Sequence, residues 1–212
     1  MSRFPGGVRL AISLGLALLL SSCAAARVAT HDVSLDPVDV PAGTYSMDAD
    51  HWSLLFDVGH FGYSRFVMRF DKATATLDLR PNDLAKTRLE ATVEAASVDT
   101  NVSELDAMVK ELLKADRYPD IRFVSTRMTR TGEATGTVTG ALTIAGETHP
   151  VTLDVAFNGA SPNPLTGDDT MGFSATGSFR RSLWGLSDWR PAVGDEVRVR
   201  IQAEFKKPKE TS

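Results

Sequence analysis

From Gly43 to Phe205 the chain alternates apolar and polar residues with a period of two, segment after segment. Period two belongs to the β-strand, whose successive side chains leave opposite faces. Trp52, Leu54, Phe56, Val58 and His60 share one parity, broken only by Leu55. Leu89, Ala91, Val93 and Ala95 repeat the pattern, as do Val138 to Ile144, Val151 to Phe157, and Val197 to Phe205. Over 64–80 the parity switches, with Phe66, Met68 and Phe70 even but Ala73, Ala75, Leu77 and Leu79 odd. A β-bulge produces such a switch and curves its strand. Eight or nine strands are expected, near 43–48, 52–61, 64–80, 86–98, 119–131, 134–145, 149–158, 171–182 and 195–206. Arg80-Pro81-Asn82-Asp83, Arg130-Thr131-Gly132-Glu133 and Ala145-Gly146-Glu147 read as turns, and Gly159–Thr170 as a loop.

One segment, about 102–115, follows a different period. Val102, Leu105, Met108, Val109, Leu112 and Leu113 recur at helical spacing, with Asn101 or Ser103 as the expected cap and Tyr118-Pro119 as the stop. A helix apolar on one face must cover something, and one end of a barrel is the natural place. The fold class predicted is all-β: a single antiparallel barrel with one covering helix. A barrel of about eight strands has an interior either just filled by side chains or holding one small ligand. Both interiors fit the sequence. Ala73, Ala75, Ala91, Ala95, Gly140, Ala175 and Gly177 on inward parity leave volume, which larger neighbours would either line or fill. For the lined alternative the inward set is Leu54, Phe56, Val58, His60, Phe66, Phe70, Ala91, Val93, Phe123, Leu142, Phe157, Phe173 and Ala175, with Arg181 at its end.

The first 22 residues have the layout of an export signal, with Arg3 and Arg9 ahead of the apolar run Leu10 to Leu20. At about 1.5 Å per residue that run falls well short of a bilayer core of roughly 30 Å. Leu20-Ser21-Ser22-Cys23 follows the lipobox pattern of bacterial lipoproteins, in which the cysteine thiolate takes a diacylglycerol group. Cleavage after Ala26, or an inert cysteine, are the other readings. On the first, Cys23 is the lipidation site, 24–42 a tether, 43–207 the domain, and the protein lies on the periplasmic side of the cell envelope. Ala24, where inner-membrane lipoproteins often carry Asp, tilts the expectation to the outer membrane. Cys23 is the only cysteine, so no internal disulfide forms. The 23 Lys and Arg against 27 Asp and Glu give a net charge of −4, which loss of Arg3 and Arg9 makes more negative. That balance argues against nucleic acid. His51 and His60 stand roughly 30 Å apart on an extended strand, His31 in the tether and His149 in a turn, so no metal cluster is expected. No nucleophile–base–orienter set can be assembled, and no enzymatic role is expected.

Six segments, in order and at fitting spacing, resemble the YceI-like family of polyisoprenoid-binding, lipocalin-like proteins of the bacterial periplasm. They are Tyr45-Ser46-Met47-Asp48 with Leu54-x-Phe56-x-Val58-x-His60-x-Gly62; Ser97-Val98-Asp99-Thr100; Tyr118-Pro119-Asp120-Ile121-Arg122-Phe123; Gly140 to Gly146; Pro150-Val151-Thr152-Leu153; and Gly172 to Gly177 leading into Arg181-Ser182-Leu183-Trp184-Gly185. The resemblance implies a lipocalin-like barrel with a long isoprenoid, of quinone or polyprenol type, threaded through it, with no other cofactor. The chain departs from the family pattern at Met108, where a His is common, and at Leu112-Leu113 in place of paired Phe. The site beneath the helix is thereby more apolar than is usual in the family. His60 either bonds a ligand's head or is a satisfied strand-end histidine. Arg181 either clamps a phosphate or quinone carbonyl or bonds strand-end carbonyls and closes the barrel. Trp184 and Trp189 form either a lid or a satellite core.

Overall fold

Strand β1 (Gly43–His60) organises the fold because it is long enough to meet three neighbours. The computed structural model describes residues 28–207. From Ser46 to His60, with one interruption at Asp48–His51 and a register shift near its end, β1 pairs with β10 (Val193–Lys207). Its last residues, from Leu54, pair with β2 (Ser64–Phe70), and its first, Gly43 to Ser46, with β3 (Ala73–Leu79). The two stretches expected as separate strands, 43–48 and 52–61, are thus one. Between them Asp48 to His51 bulge out, since Met47 faces Phe205 and Trp52 already faces Ala203. The bulge flips parity, so that Tyr45 and Met47 are followed indoors by Trp52, Leu54, Phe56 and Val58. Asp48 pins it, accepting from the Asp50 N–H at 2.9 Å and from Lys206 Nζ at 3.1 Å.

The expected strand 64–80 is divided at Asp71-Lys72. The Asp71 N–H bonds to the Ser97 carbonyl and the Lys72 carbonyl accepts from the Glu94 N–H, which bends the chain where the parity switches. Then follow β4 (Arg88–Glu94), the short β5 (Val98–Asp99), helix α1 (Ser103–Leu112), β6 (Asp120–Arg130), β7 (Thr135–Ile144), β8 (Glu147–Pro162) and β9 (Asp169–Arg180). Ala95 leaves the ladder after β4, buried in a short 3-10 turn that separates β4 from β5. The loop expected over Gly159–Thr170 is shorter, because β8 runs on to Pro162 and β9 starts at Asp169. All neighbouring pairs are antiparallel. The order β1-β3-β4-β6-β7-β8-β9-β10 returns to β1, closing an eight-stranded barrel, while β2 and β5 extend the sheet beside the end where α1 lies.

The tail of the expected tether is part of the fold. Ser34 pairs with Ala160, Val40 is buried, and Pro41 accepts a hydrogen bond from the Tyr45 hydroxyl at 2.8 Å. Tyr45 has no exposed surface, and that burial, with Asp169 nearby, pushes its pKa up to about 12. The signal, Cys23 and the first part of the tether lie outside the described residues. Among the described residues, no helix is long and apolar enough to cross a membrane.

Candidate functional site: an apolar cavity inside the barrel

The inward face of each strand is apolar, yet many inward side chains are only half-buried: Phe56, Ala91, Phe123, Phe173, Ala175 and Ile201 keep accessible surface. They keep it because they border open volume. The barrel encloses a cavity of about 860 Å³, lined from the α1 end to the β6–β7 hairpin. The interior is therefore not solid, which removes the packed-core alternative. Among described residues, no group of three or more His, Cys, Asp or Glu is placed to hold a metal.

Every lining residue named from the sequence borders this cavity. Leu54, Phe56 and Val58 come from β1, Phe66 and Phe70 from β2, Ala91 and Val93 from β4. Phe123, Leu142 and Phe157 come from β6, β7 and β8, and Phe173 and Ala175 from β9, with His60 and Arg181 at the α1 end. Phe56 and Phe70 stack at 5.0 Å, and Phe157 leans on Phe173 at 5.6 Å. Small residues do two different things here. Ala73, Ala75, Ala91 and Ala175 border open space. Gly140 and Gly177 make room for neighbours: a Cβ on Gly140 would overlap the Phe123 ring, and one on Gly177 would lie 2.6 Å from Leu153 Cδ2.

Helix α1 closes one end. Leu105, Met108, Val109 and Leu112 line the cavity, but no residue of the helix is buried, because its apolar face lies over empty space. It is shorter than 102–115, and neither Asn101 nor Ser103 caps it. Val102 stands at the N-cap without a side-chain bond. The tie comes from buried Thr100, whose N–H and hydroxyl both donate to Asp106 Oδ1, at 2.8 and 2.6 Å. Those bonds hold the Asp106 carboxyl below the usual carboxylate range. The helix ends before Tyr118-Pro119, where Lys114 turns left-handed (φ 53°) and the Ala115 N–H closes on the Lys110 carbonyl at 3.0 Å.

Arg181 is buried and serves the wall. Its guanidinium donates to the carbonyls of Gly194 (2.8 Å), Asp188 (2.9 Å), Val193 (2.9 Å) and Leu186, drawing the 181–194 loop onto the barrel end. Burial lowers its pKa. Of its two sequence readings, the carbonyl-bonding one describes the contacts it makes. His60 is exposed at the same end, with its ring against Phe61 at 4.7 Å and Phe66 at 6.1 Å. Trp184 is core: it is buried, its Nε1–H donates to the Leu142 carbonyl at 3.1 Å, and its ring meets Phe179 and His149. His149 thus belongs to β8 rather than to a turn, and His51 to the β1 bulge, 3.4 Å from Asp48. Exposed Trp189 and Phe61 border the cavity mouth. The sequence reading missed Pro37 and Val40 from the N-terminal segment, and Thr129, Arg130, Glu133 and Thr135 from the β6–β7 hairpin, all of which line the opposite end. No apolar alternation marks them: Thr129, Arg130 and Thr135 are polar strand-end residues, Glu133 lies in the turn, and Pro37 and Val40 precede the first strand.

A closed antiparallel barrel of eight strands around an apolar cavity has the architecture of a small-molecule binding module. The YceI-like domain model matches residues 45–205, and the chain belongs to that family. A UPF0312 protein of Staphylococcus epidermidis is 29% identical over 169 residues, covering 76% of this chain and 96% of that protein. A Staphylococcus aureus UPF0312 protein matches to the same extent. Among solved structures, Burkholderia cenocepacia BcnA superposes with a TM-score of 0.67 at 22% identity, over 74% of this chain and 98% of BcnA. The Campylobacter jejuni YceI protein gives 0.63 at 27% identity, over 71% and 90%. A polyisoprenoid binding domain of Saccharophagus degradans, implicated in plant cell wall breakdown, gives 0.60 at 14% identity, over 77% and 98%.

Proposed function

We propose that this protein holds a long isoprenoid lipid, of quinone or polyprenol type, in the barrel cavity for transport or storage and does not transform it. The observation that carries the reading is the cavity: about 860 Å³, walled by aliphatic and aromatic side chains from every strand of the barrel. Ligand pockets run from roughly 300 to 1,000 Å³, so the volume suits a sizeable guest. Burying carbon is worth ~0.8 kcal/mol per CH₂, and an isoprene unit has five carbons, so a few units exceed about 10 kcal/mol of gross transfer energy. Such a lipid needs a carrier to cross water. The polyisoprenoid binding domain of Saccharophagus degradans shares the fold, which supports the same assignment.

The carrier is further proposed to be anchored through acylated Cys23 on the periplasmic side of the envelope, with the outer membrane favoured. Pro37 and Val40 line the hairpin end of the cavity, so an anchor at Cys23 would hold that end toward the membrane. Solvent extraction of the purified protein followed by mass spectrometry tests the ligand. An isoprenoid is the expected product. A protein that repeatedly yields no apolar small molecule, and takes up none, overturns the assignment. For the anchor, Cys23→Ser should move the protein from the membrane to the soluble fraction, and continued membrane retention would refute it.

A further inference from the structure

Two loops at the α1 end hold aromatic side chains out into solvent. The β1–β2 turn carries Phe61 and Tyr63, 59% and 90% exposed, and the loop before β10 carries exposed Trp189. Phe61 and Trp189 both have left-handed backbones, with φ of 49° and 62°. Bulky side chains rarely adopt that region, and holding one there costs stability. The surrounding backbone enforces it. The Phe61 N–H donates to the Ala192 carbonyl at 2.7 Å, the Val193 N–H to the Trp189 carbonyl at 2.8 Å and the Tyr63 N–H to the His60 carbonyl at 3.0 Å. The two tips are thereby tied to each other. Phe61 and Trp189 line the cavity mouth together with exposed Met108 of α1. His60 lines it too, and among the described residues its side chain has no hydrogen-bond partner.

Charge also sets this end apart. Residues 60–70 and 180–194, which build it, carry five arginines and one carboxylate, Asp188, in a chain of net charge −4. Arg65 and Arg69 are ion-paired along the strand, and Arg181 is occupied by backbone carbonyls. Arg180 is exposed, with a side chain free of hydrogen bonds and ion pairs among the described residues, and Arg190 is held only loosely, 3.6 Å from Asp195. Helix α1 adds Lys110 and Lys114 against Glu104, Asp106 and Glu111. We infer that this rim docks on a lipid bilayer. Phe61, Tyr63, Trp189 and Met108 enter the interfacial layer, and Arg180 and Arg190 face the lipid phosphates. Tyr and Trp suit that layer because each joins an apolar ring to a polar tip, and interfacial binding grows with apolar area and with attraction to anionic lipid. The cavity mouth is continuous with the rim, so docking sets it directly against the bilayer. The inference goes beyond the identity of the guest, since the rim needs no guest to bind. It also puts the docked end opposite the one that an anchor at Cys23 would hold.

Cosedimentation with vesicles of phosphatidylcholine and phosphatidylglycerol tests it, using guest-free Cys23→Ser protein so that no acyl chain contributes. The protein should sediment with the vesicles, and raised salt should weaken that binding only in part. Phe61→Asn, Tyr63→Ser and Trp189→Asn combined should reduce it by about tenfold or more, whereas Leu165→Ser, at an exposed position of the β8–β9 turn, should leave it within about twofold. Asn tolerates the left-handed backbone, so the combined variant should melt no lower than its parent. Brominated lipids add a readout that belongs to one residue. Trp184 is buried in the core and Trp52 packs in the cluster at the hairpin end. Quenching of tryptophan fluorescence should therefore come from Trp189, and Trp189→Phe should abolish it while sedimentation persists. Quenching that survives Trp189→Phe would put the other end of the barrel on the membrane and overturn the inference. So would a protein that binds no vesicles, or one that self-associates through the rim in their place. Because the protein is stripped of guest, each of these failures is distinct from a failure of the lipid assignment, which the extraction experiment decides.

Discussion

Arg181 shows how one side chain can line a binding cavity and still belong to the wall. Its N–H groups meet the carbonyls of Leu186, Asp188, Val193 and Gly194, which would otherwise be left without it in a loop folded over the barrel end. Arg181→Gln should therefore lower the stability of the ligand-free protein by about 3 kcal/mol, a fall in Tm of roughly 10 °C. Arg181→Lys, which keeps the charge but loses the planar fork, should fall nearly as far. Unchanged apo melting with lost ligand would make Arg181 a ligand clamp instead. Gly140 offers a second residue-scale test. The Phe123 ring occupies the place of a Cβ there, so Gly140→Ala should cost about 1–3 kcal/mol by overpacking. Adding Phe123→Leu should recover the part of that loss due to the ring and leave the part due to the Val124 carbonyl oxygen, which a Cβ would meet at 2.7 Å. A double variant no more stable than Gly140→Ala alone would locate the strain in the backbone.

At the scale of elements, the β1 bulge decides which residues see the cavity. Without it, the parity that buries Tyr45 would put Trp52, Leu54 and Phe56 outside. Asp48 holds the bulge. The backbone N–H of Asp50, then Lys206 and His51, draw its pKa down to about 2, below the ordinary value near 4. A carboxyl depressed in the fold contributes stability that is complete above its unfolded pKa and is lost as pH falls through the folded one. Thermal melts between pH 4 and pH 2 should thus show a loss that Asp48→Asn lacks. At neutral pH the variant should be less stable by about 1 kcal/mol, since Asn keeps the acceptor for Asp50 but not the charge. Parallel pH profiles for the two proteins would discard this role. The bulge also marks a limit of what the sequence shows. The switch between Phe70 and Ala73 was legible, because both flanking stretches alternate cleanly. The switch at Asp48–His51 read only as a gap, because an insertion of polar residues looks the same as a turn. The apolar face of α1 was legible for the same reason as the strands, whereas the Thr100–Asp106 tie was not, since it joins a strand end to a helix through a contact no period records. The alternating face fixed Phe56, Ala91 and Ala175 as interior, but it could not distinguish a lined interior from a filled one. That depends on how side chains from facing strands meet.

At the scale of the whole molecule, closure supplies that answer. In the closed order β1-β3-β4-β6-β7-β8-β9-β10, strands β4 and β9 are four places apart and so form opposite walls. Ala91 belongs to one, between Ala75 and Phe123, and Ala175 to the other, between Val155 and Ile201. Both border the cavity. A phenyl ring at either place would project into open volume and obstruct the path of a long tail from one side. Forcing a large residue into a packed core costs about 1–3 kcal/mol, whereas a ring entering a void displaces no side chain and gains dispersion contacts. Ala91→Phe and Ala175→Phe are therefore expected to abolish isoprenoid uptake while keeping the apo melting temperature near that of the unsubstituted protein. Because the two substitutions act from opposite walls, the shared outcome would come from the cavity and not from either local environment. Strong destabilisation of both apo variants would mean that the barrel closes around a filled interior, and the carrier reading would lose the observation on which it stands.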